Sequence, residues 1–454
     1  MAKIYSHTTG LCSVCSKKVD ARIIGAEGSI YLEKRCPEHG PTKALLSIDV
    51  EWYEESLNYI KPGQMPLARN VAEFTGCPDS CGYCPEHQQH VCLPVIEILS
   101  RCDMHCPICM KRFQEPFALT PEEFAGIIDN LLQAEGCVDV INISGGEPTL
   151  HPQFQELIEI ALAKGITQIS VSTNGLTLLQ DAALRRFFRE KGIIAALQFD
   201  GFKSSSYNFF RGRDLVEKKL ELIRVFEAEG LLYSLVAAVA KGVNDGEIEA
   251  ITDSFFRSHA LTLMFQPLVF TGNAAVIDET QHRLTVADIV HHIERSAFVE
   301  KGDFNPLPCS HFSCFALSYY FTLEDGEIYS LKKFLGKEDF LQVIANKTLP
   351  GLDSEGYDII KTRIYDLWSA ADYSSSNEKV LERIKNILRH LSSQGLSRKE
   401  KLNLGIENMK AVFIHNFMDV QTMDFARLQK CCNPYPQKGD RLVPMCAQNV
   451  FFQS

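Results

Sequence analysis

No stretch of this 454-residue chain is apolar for long enough to cross a bilayer. The best run, Leu231–Ala240, is about half of the ~20 residues that a membrane helix needs, and it stops at Lys241-Gly242. The opening "MAKIYSHTTGLC" carries no apolar h-region, so no secretory leader is expected and a cytoplasmic location is. Positive charge is not in excess either. Lys and Arg total 46 against 57 Asp and Glu, a formal net charge of -11, which disfavours nonspecific binding to nucleic acid. Internal repeats and low-complexity tracts are lacking. With 45% hydrophobic and 23% charged residues the composition is that of a globular protein, long enough for two or three domains.

Cysteine is plentiful: 16 residues, clumped at gaps of two and three. Without a leader, that clumping points to thiolate ligation of metal rather than to disulfides. The spacing C-x3-C-x2-C occurs twice, in "CPDSCGYC" (Cys77, Cys81, Cys84) and "CDMHCPIC" (Cys102, Cys106, Cys109). At this cysteine content one such triplet should arise by chance about ~0.02 times, so both are read as metal sites. A cubane 4Fe–4S cluster normally takes four thiolates. The first triplet has Cys92 at hand, eight residues past Cys84, and is expected to form a closed auxiliary cluster with it. After the second triplet the next cysteine is Cys137, beyond a predicted helix and expected as a small core residue. Three thiolates alone leave one iron open to a substrate or cofactor.

Two more sites follow from spacing. Cys12, Cys15, Cys36 and His39 form C-x2-C…C-x2-H, suited to one tetrahedral zinc or a rubredoxin-like iron. Cys309, Cys314 and Cys446, with Cys431 or Cys432, are expected to enclose a third cluster. Neighbouring residues do not easily ligate one cubane together, and Cys432 is the choice of the two.

The chain divides into a metal-binding knuckle (1–60), an auxiliary-cluster segment (61–92) that opens on the linker "KPGQMP", a central unit (93–300) and a C-terminal extension (301–454). From Leu93 onward, apolar strand-like runs alternate with helical patterns for six βα units, with helix starts at Thr120-Pro121 and Asp181. The expected fold is α/β: a partial (β/α)6 TIM-like barrel, with the knuckle before it and a cluster-binding α+β extension after it. In the extension, "SYYFTLEDGEIYSL" reads as a hairpin turning at Glu324-Asp325-Gly326, and 375–395 as an amphipathic helix. Cys102, Cys106 and Cys109 follow the first barrel strand, at the end of the sheet where active sites are built.

That strand, its C-x3-C-x2-C loop, the six βα units and "GGEP" after the second strand resemble the radical S-adenosylmethionine (SAM) superfamily over Leu93 to Phe298. The resemblance implies that the open iron at Cys102, Cys106 and Cys109 chelates SAM, and that one electron from the cluster cleaves it to a 5′-deoxyadenosyl radical. It implies that Gly145, Gly146, Glu147 and Pro148 hold the SAM amino group. Ser172 and Asn174 of "STNG" would lie beside the ribose or carboxylate, and Gln266 of "QPL" along the adenine. The superfamily usually has an aromatic residue before the third cysteine; here the first triplet has it (Tyr83) and the second has Ile108. Strand order and the missing fourth thiolate favour the second triplet all the same.

The knuckle, the pre-barrel triplet, "LQFDG" (Leu197–Gly201) and the tail "CC…VPMCAQN" further resemble the family of tetraether lipid synthase and dihydro-hydroxymethylpterin methyltransferase. That resemblance implies a radical SAM enzyme with two auxiliary clusters, supplied by an electron donor such as ferredoxin or flavodoxin. Carbon–carbon bond formation on a lipid is the leading expectation, with peripheral membrane contact compatible with it. Methylation of a pterin-like molecule is the alternative, and a multi-cluster electron-transfer protein the reading of another class. Gln198 and Asp200, ending the fourth strand, are the expected substrate residues. The aromatics of "LMFQPLVF", "YNFF" and "SYYF" are candidates to line an apolar tunnel, or plain core.

Overall fold

The computed structural model describes residues 3–68, 76–82, 84–112, 115–322, 327–346, 358–363, 382, 386, 398–439 and 441–452. Tyr83, the expected turn at Glu324-Asp325-Gly326 and nearly all of the expected helix over 375–395 lie outside the described residues.

The chain opens with a four-stranded antiparallel meander, β1 (Lys3–Leu11), β2 (Lys18–Ala26), β3 (Ser29–Cys36) and β4 (Gly40–Ser47). Its inward residues alternate along each strand, and Ile23, Ile30 and Leu32 pack on Tyr53 of the following helix, Val50–Ser56. The knuckle is buttressed from the far end of the chain. Lys34 is buried and donates to the carbonyls of Val420 (3.2 Å) and Gln421 (2.8 Å), and Thr8 bonds Asp424.

Six parallel strands follow in spatial order: β5 (Val95–Leu99), β6 (Val140–Gly145), β7 (Gln168–Thr173), β8 (Ile194–Gln198), β9 (Tyr233–Val239) and β10 (Thr262–Pro267). The connecting helices begin and end on the expected chemistry. Thr120 caps helix Pro121–Glu135 in a reciprocal capping box with Glu123, and the helix stops at Gly136. Asp181 caps helix Ala182–Lys191, which ends on Gly192 in the left-handed region.

The C-terminal part does not fold apart from this sheet; it extends it. After β11 (Asn305–Pro306), β12 (Phe315–Thr322) and β13 (Ile328–Ser330) comes β14 (Met409–His415), which pairs parallel to β10. Strand β12 lies antiparallel beyond β14, and β13 forms the expected hairpin with β12. A short ribbon, β15 (Pro434–Pro436) and β16 (Leu442–Pro444), packs back on β5. The sheet stays open, as expected, but its seventh parallel strand comes from about 140 residues downstream of β10, which no local pattern announces. Among the described residues, no helix is long and apolar enough to cross a membrane.

Alternation along the strands sorts their side chains. Ile96, Ile98, Ile141, Ile143, Val171, Leu197, Leu235, Leu263 and Phe265 pack outward into the main core. The opposite set surrounds a cavity of about 900 Å³: Asn142 and Ser144 on β6, Ser170 and Ser172 on β7, Gln198 on β8, Met264 and Gln266 on β10. Phe413 on β14, with Leu317 and Tyr319 on β12, closes its other side. The polar groups of β6, β7, β8 and β10 thus stand among apolar ones, Val140, Ala196 and Val236 included.

Candidate active site and metal centres

The loop after β5 carries Cys102, Cys106 and Cys109, and all three line the barrel cavity. Its shape depends on close backbone approach. The Gly146 N–H donates to the Leu99 carbonyl (2.6 Å) and the Glu147 N–H to that of Arg101 (2.9 Å). A Cβ at Gly146 would lie 2.2 Å from the Arg101 oxygen, so only glycine lets the end of β6 press on the root of the cysteine loop. From the other side, the Asn273 N–H donates to the Cys109 carbonyl (2.8 Å), and its side chain to that of Cys106 (3.2 Å).

Burial, reinforced by the Glu147, Asp103 and Cys106 charges, pushes the Cys102 thiol up to about 12, and burial also raises Cys109. Three half-buried thiols turned into one cavity are a soft, sulfur-only donor set, which is what an iron–sulfur cluster takes. The donor set fits the group.

Glu147 is fully engaged inside the protein. Its carboxylate accepts from the Thr149 N–H (3.2 Å) and hydroxyl (2.7 Å), the Thr173 hydroxyl (2.8 Å) and the Asn174 N–H (2.8 Å). It ties the end of β6 to the end of β7, and burial still raises its pKa. Asn174 continues the chain of contacts, donating to Asp103 in the cysteine loop (2.6 Å). Its carbonyl accepts from Lys219 (2.5 Å), a lysine with no exposed surface whose pKa burial lowers to about 7. Gly145, Ser172 and Gln266 line the cavity as well, whereas Pro148 is buried behind it as the first residue of a short turn of helix.

Gln198 reaches the cavity, but Asp200 is wholly buried. The Asp200 carboxylate accepts two bonds from Arg211 (2.7 and 2.8 Å), one from the Ala238 N–H (3.0 Å) and one from the Gln198 amide. Arg211 is the residue that sequence reasoning missed here. It lines the cavity with Cys106, and the buried Asp200 meets that cavity through it. A second missed group is Lys111, two residues past Cys109. It is sandwiched between Glu97 on β5 (2.8 Å), Asn449 (2.9 Å) and the ring of Tyr435 (3.7 Å to its centre). No spacing rule connects residues 97, 111 and 435; only the folding of β15 onto β5 does.

In the knuckle, Cys12, Cys15, Cys36 and His39 bring their ligand atoms within 4.8 Å of one another. The Cys15–Cys36 sulfurs are 3.9 Å apart, and His39 Nδ1 lies 3.7 Å from Cys12 and 3.4 Å from Cys36. A tetrahedron of Zn–S bonds has an edge of roughly 3.8 Å, so the quartet suits a single ion. Backbone N–H groups of Cys15 and Val14 lower the Cys12 thiol to about 6, as a metal ligand requires.

The remaining cysteines are grouped by space rather than by sequence. Cys77, Cys81 and Cys84 lie together: Cys77 donates to Cys84, lowering the latter to about 6, and burial raises Cys81 to about 12. Cys92, expected as the fourth member of that set, lies instead against the thiols of Cys309 and Cys432. Cys314, Cys431 and Cys446 gather at a small separate cavity beside Arg427. Cys137, expected in the core, is exposed at a strand approach. Of the tunnel candidates, Met264 and Tyr319 line the cavity, while Phe265, Tyr207 and Phe210 are core.

Residues 74–255 match the radical SAM superfamily, and residues 4–48 match the HMPTM N-terminal zinc ribbon domain. Residues 74–255 form a radical SAM domain. As a radical SAM enzyme it takes SAM and a 4Fe–4S cluster, and its N-terminal ribbon supplies the Cys12, Cys15, Cys36 and His39 metal site. It is 28% identical, over an aligned length of 475 positions, to 7,8-dihydro-6-hydroxymethylpterin dimethyltransferase of Methanocaldococcus jannaschii, covering 98% of this chain and 93% of that one. This radical SAM protein is also 28% identical to GTP 3′,8-cyclase of Aquifex aeolicus over 231 residues, 47% of this chain and 66% of the cyclase. Among solved structures it is similar to TYW1 with a lysine-pyruvate adduct bound, at 15% identity and a TM-score of 0.33, over 64% of this chain and 89% of that one.

Proposed function

We propose that this radical SAM enzyme transfers methyl groups from the sulfonium of SAM, leaving S-adenosylhomocysteine, to a heterocyclic, pterin-like small molecule held in the barrel cavity. The observation that carries the reading is the relative matched from ribbon to tail: its likeness spans the ribbon and the cysteine-rich tail as well as the barrel. The alternative expected from sequence thereby becomes the preferred one, since no comparison supports a lipid.

A cluster held by Cys102, Cys106 and Cys109 would, with SAM, supply radical chemistry at unactivated carbon. The chain's own residues then have five tasks. Cys102, Cys106 and Cys109 ligate the cluster, and the Gly145-Gly146 turn with Glu147, Ser172, Asn174 and Gln266 frames the cofactor's place beside it. Asn142, Ser170 and Gln198 offer donors and acceptors to the ring nitrogens and carbonyl of a pterin, while Tyr319 and Phe413 offer aromatic faces. Arg211, held by Asp200, keeps positive charge beside the Cys106 sulfur. Lys111, between Glu97 and Tyr435, sets where a proton is stored at the cavity wall. The cysteines outside the ribbon and the central triplet are read as ligands of auxiliary iron–sulfur clusters.

The test is anaerobic reconstitution with iron, sulfide, SAM and dithionite, followed by addition of 7,8-dihydro-6-hydroxymethylpterin and mass spectrometry. A pterin heavier by one or two methylene units is expected. An unaltered pterin alongside active SAM cleavage refutes the substrate class. One observation favours a second reading: the wall of Leu317, Tyr319, Ile406, Met409 and Phe413 is apolar, and a cavity of about 900 Å³ holds more than a pterin. A lipid substrate predicts, in the same assay, turnover of long-chain lipids and none of the pterin.

A further inference from the structure

We propose that His415, the last residue of β14, binds an edge of the substrate ring by a hydrogen bond to one of its imidazole nitrogens. The inference rests on the pterin reading and adds to it a specificity-determining residue, on the strand that the far end of the chain supplies.

Strand order brings His415 to the reactive end of the cavity. Strand β14 runs parallel to β10, with Met264 beside Phe413 and Phe265 beside Ile414. One residue further along each strand stand Gln266 and His415, and both line the cavity. Side chains alternate along β14. Val412 and Ile414 pack outward into the main core, while Met409, Ala411, Phe413 and His415 face inward. The inward series turns from apolar to polar only at its last member. That member sits at the carboxyl end of the parallel strands, the end that also carries the loop of Cys102, Cys106 and Cys109.

Two phenyl rings hold the imidazole. Phe315 is its directly opposed partner on the antiparallel β12, with ring centres 4.0 Å apart and planes at 24°. Phe417 lies 4.0 Å away at 37°. Both phenylalanines line the cavity too. With two rings against it, the imidazole has its edge left for polar contact. His415 is 7% exposed, and among the described residues neither of its nitrogens bonds another residue. Burial and the Arg427 charge lower its pKa, so the ring is neutral, one nitrogen donating and the other accepting. A buried polar ring without a partner costs free energy until something bonds it. Water would meet that need at any ring angle. The double clamp instead keeps the edge in one orientation, which is what recognition of a rigid partner requires.

A pterin is such a partner. It is flat, its faces suit aromatic packing, and its edge carries ring nitrogens, an amino group and a carbonyl. Phe413, the preceding inward residue of the same strand, offers a ring to the face while His415 takes a place on the edge. A neutral imidazole also sorts substrates. It gives no ion pair to an anionic headgroup, and a hydrocarbon chain presents no atom for it to bond. A site built around one such hydrogen bond discriminates against ligands that leave it unpaired.

The experiment measures binding of 7,8-dihydro-6-hydroxymethylpterin by equilibrium dialysis to the anaerobically reconstituted, SAM-loaded full chain, and to His415→Phe and His415→Gln. The first variant keeps an aromatic ring between Phe315 and Phe417 and removes both nitrogens; the second keeps a donor and an acceptor and removes the ring. His415→Phe is expected to weaken binding, and to raise KM, by about 10- to 100-fold. Its ribbon zinc and its SAM-dependent EPR change should match those of the wild type. His415→Gln should return to within about threefold of the wild-type affinity. Equal affinity in the wild type and His415→Phe overturns the assignment and leaves the methyl-transfer reading standing. A loss that His415→Gln does not mend also overturns it, as does loss of the SAM-dependent signal in His415→Phe, which would mark a residue of the cofactor site. A wild-type chain that binds no pterin overturns both readings together.

Discussion

Replacing Asp200 by Ala strands a buried guanidinium beside the central cluster. Asp200 has no exposed surface, and Arg211 bonds both of its oxygens at 2.7 and 2.8 Å. Removing one partner of such a pair costs about 3–5 kcal/mol, because the other charge stays buried and unpaired. The Ala238 N–H, which donates to Asp200 at 3.0 Å, also loses its acceptor. In a multi-domain metalloprotein a global unfolding energy is poorly defined, so a local probe is better. The Ala238 amide is that probe. A loss of about 4 kcal/mol corresponds to roughly a thousandfold faster exchange, at 1.4 kcal/mol per factor of ten. Hydrogen exchange followed by mass spectrometry should show this over β9 and helix Ser204–Arg211. Arg211→Met added to Asp200→Ala should recover about half of the loss, since the stranded charge is gone. Unchanged exchange at β9 in Asp200→Ala refutes the reasoning, and so does a double variant worse than the sum of the singles.

Gly146→Ala places a methyl 2.2 Å from the Arg101 oxygen and should displace the cysteine loop, abolishing the SAM-dependent change in the EPR signal while the ribbon keeps its zinc. Lys219 gives a pH signature. Its folded pKa, lowered to about 7, lies below the unfolded value near ~10.4, so between these limits the unfolded state holds more protons and stability rises with pH. The contribution is up to about 1.4 kcal/mol per pH unit, and Lys219→Met should flatten the pH profile of hydrogen-exchange protection factors over helix Val216–Glu229 from pH 7 to 9; an unaltered slope contradicts the assignment. Chelating the ribbon metal, or replacing Cys12 by Ser, should unfold the sheet of β1–β4, because structural zinc supplies about 10 kcal/mol or more of folding energy. Loss of zinc with circular dichroism and protease resistance of residues 3–48 unchanged would show that the metal is dispensable to the ribbon.

Much of this protein is written locally. The C-x2-C…C-x2-H pattern needs only two turns on adjacent hairpins to bring Cys12, Cys15, Cys36 and His39 within 4.8 Å, and antiparallel pairing of neighbouring strands supplies them. The six βα units, the Thr120 and Asp181 caps, and the cysteine loop that follows β5 likewise rest on contacts a few residues long or between successive strands. Sequence periodicity encodes such contacts directly. The grouping of the other cysteines is a different matter. Cys92 meets Cys432 across 340 positions of chain, and spacing in sequence favoured Cys84, its nearer neighbour, for no reason that space respects. The same holds for Glu97, Lys111 and Tyr435, and for β14 as partner of β10. Arg211 was hidden for a related reason: an arginine ending a short helix has no signature until Asp200 and Cys106 are seen on either side of it. Local pattern determined the elements, the ribbon and the reactive triplet. Tertiary packing alone decided which distant thiols and charges share a site, because burial and charge pairing depend on separation in space, which the number of intervening residues does not set.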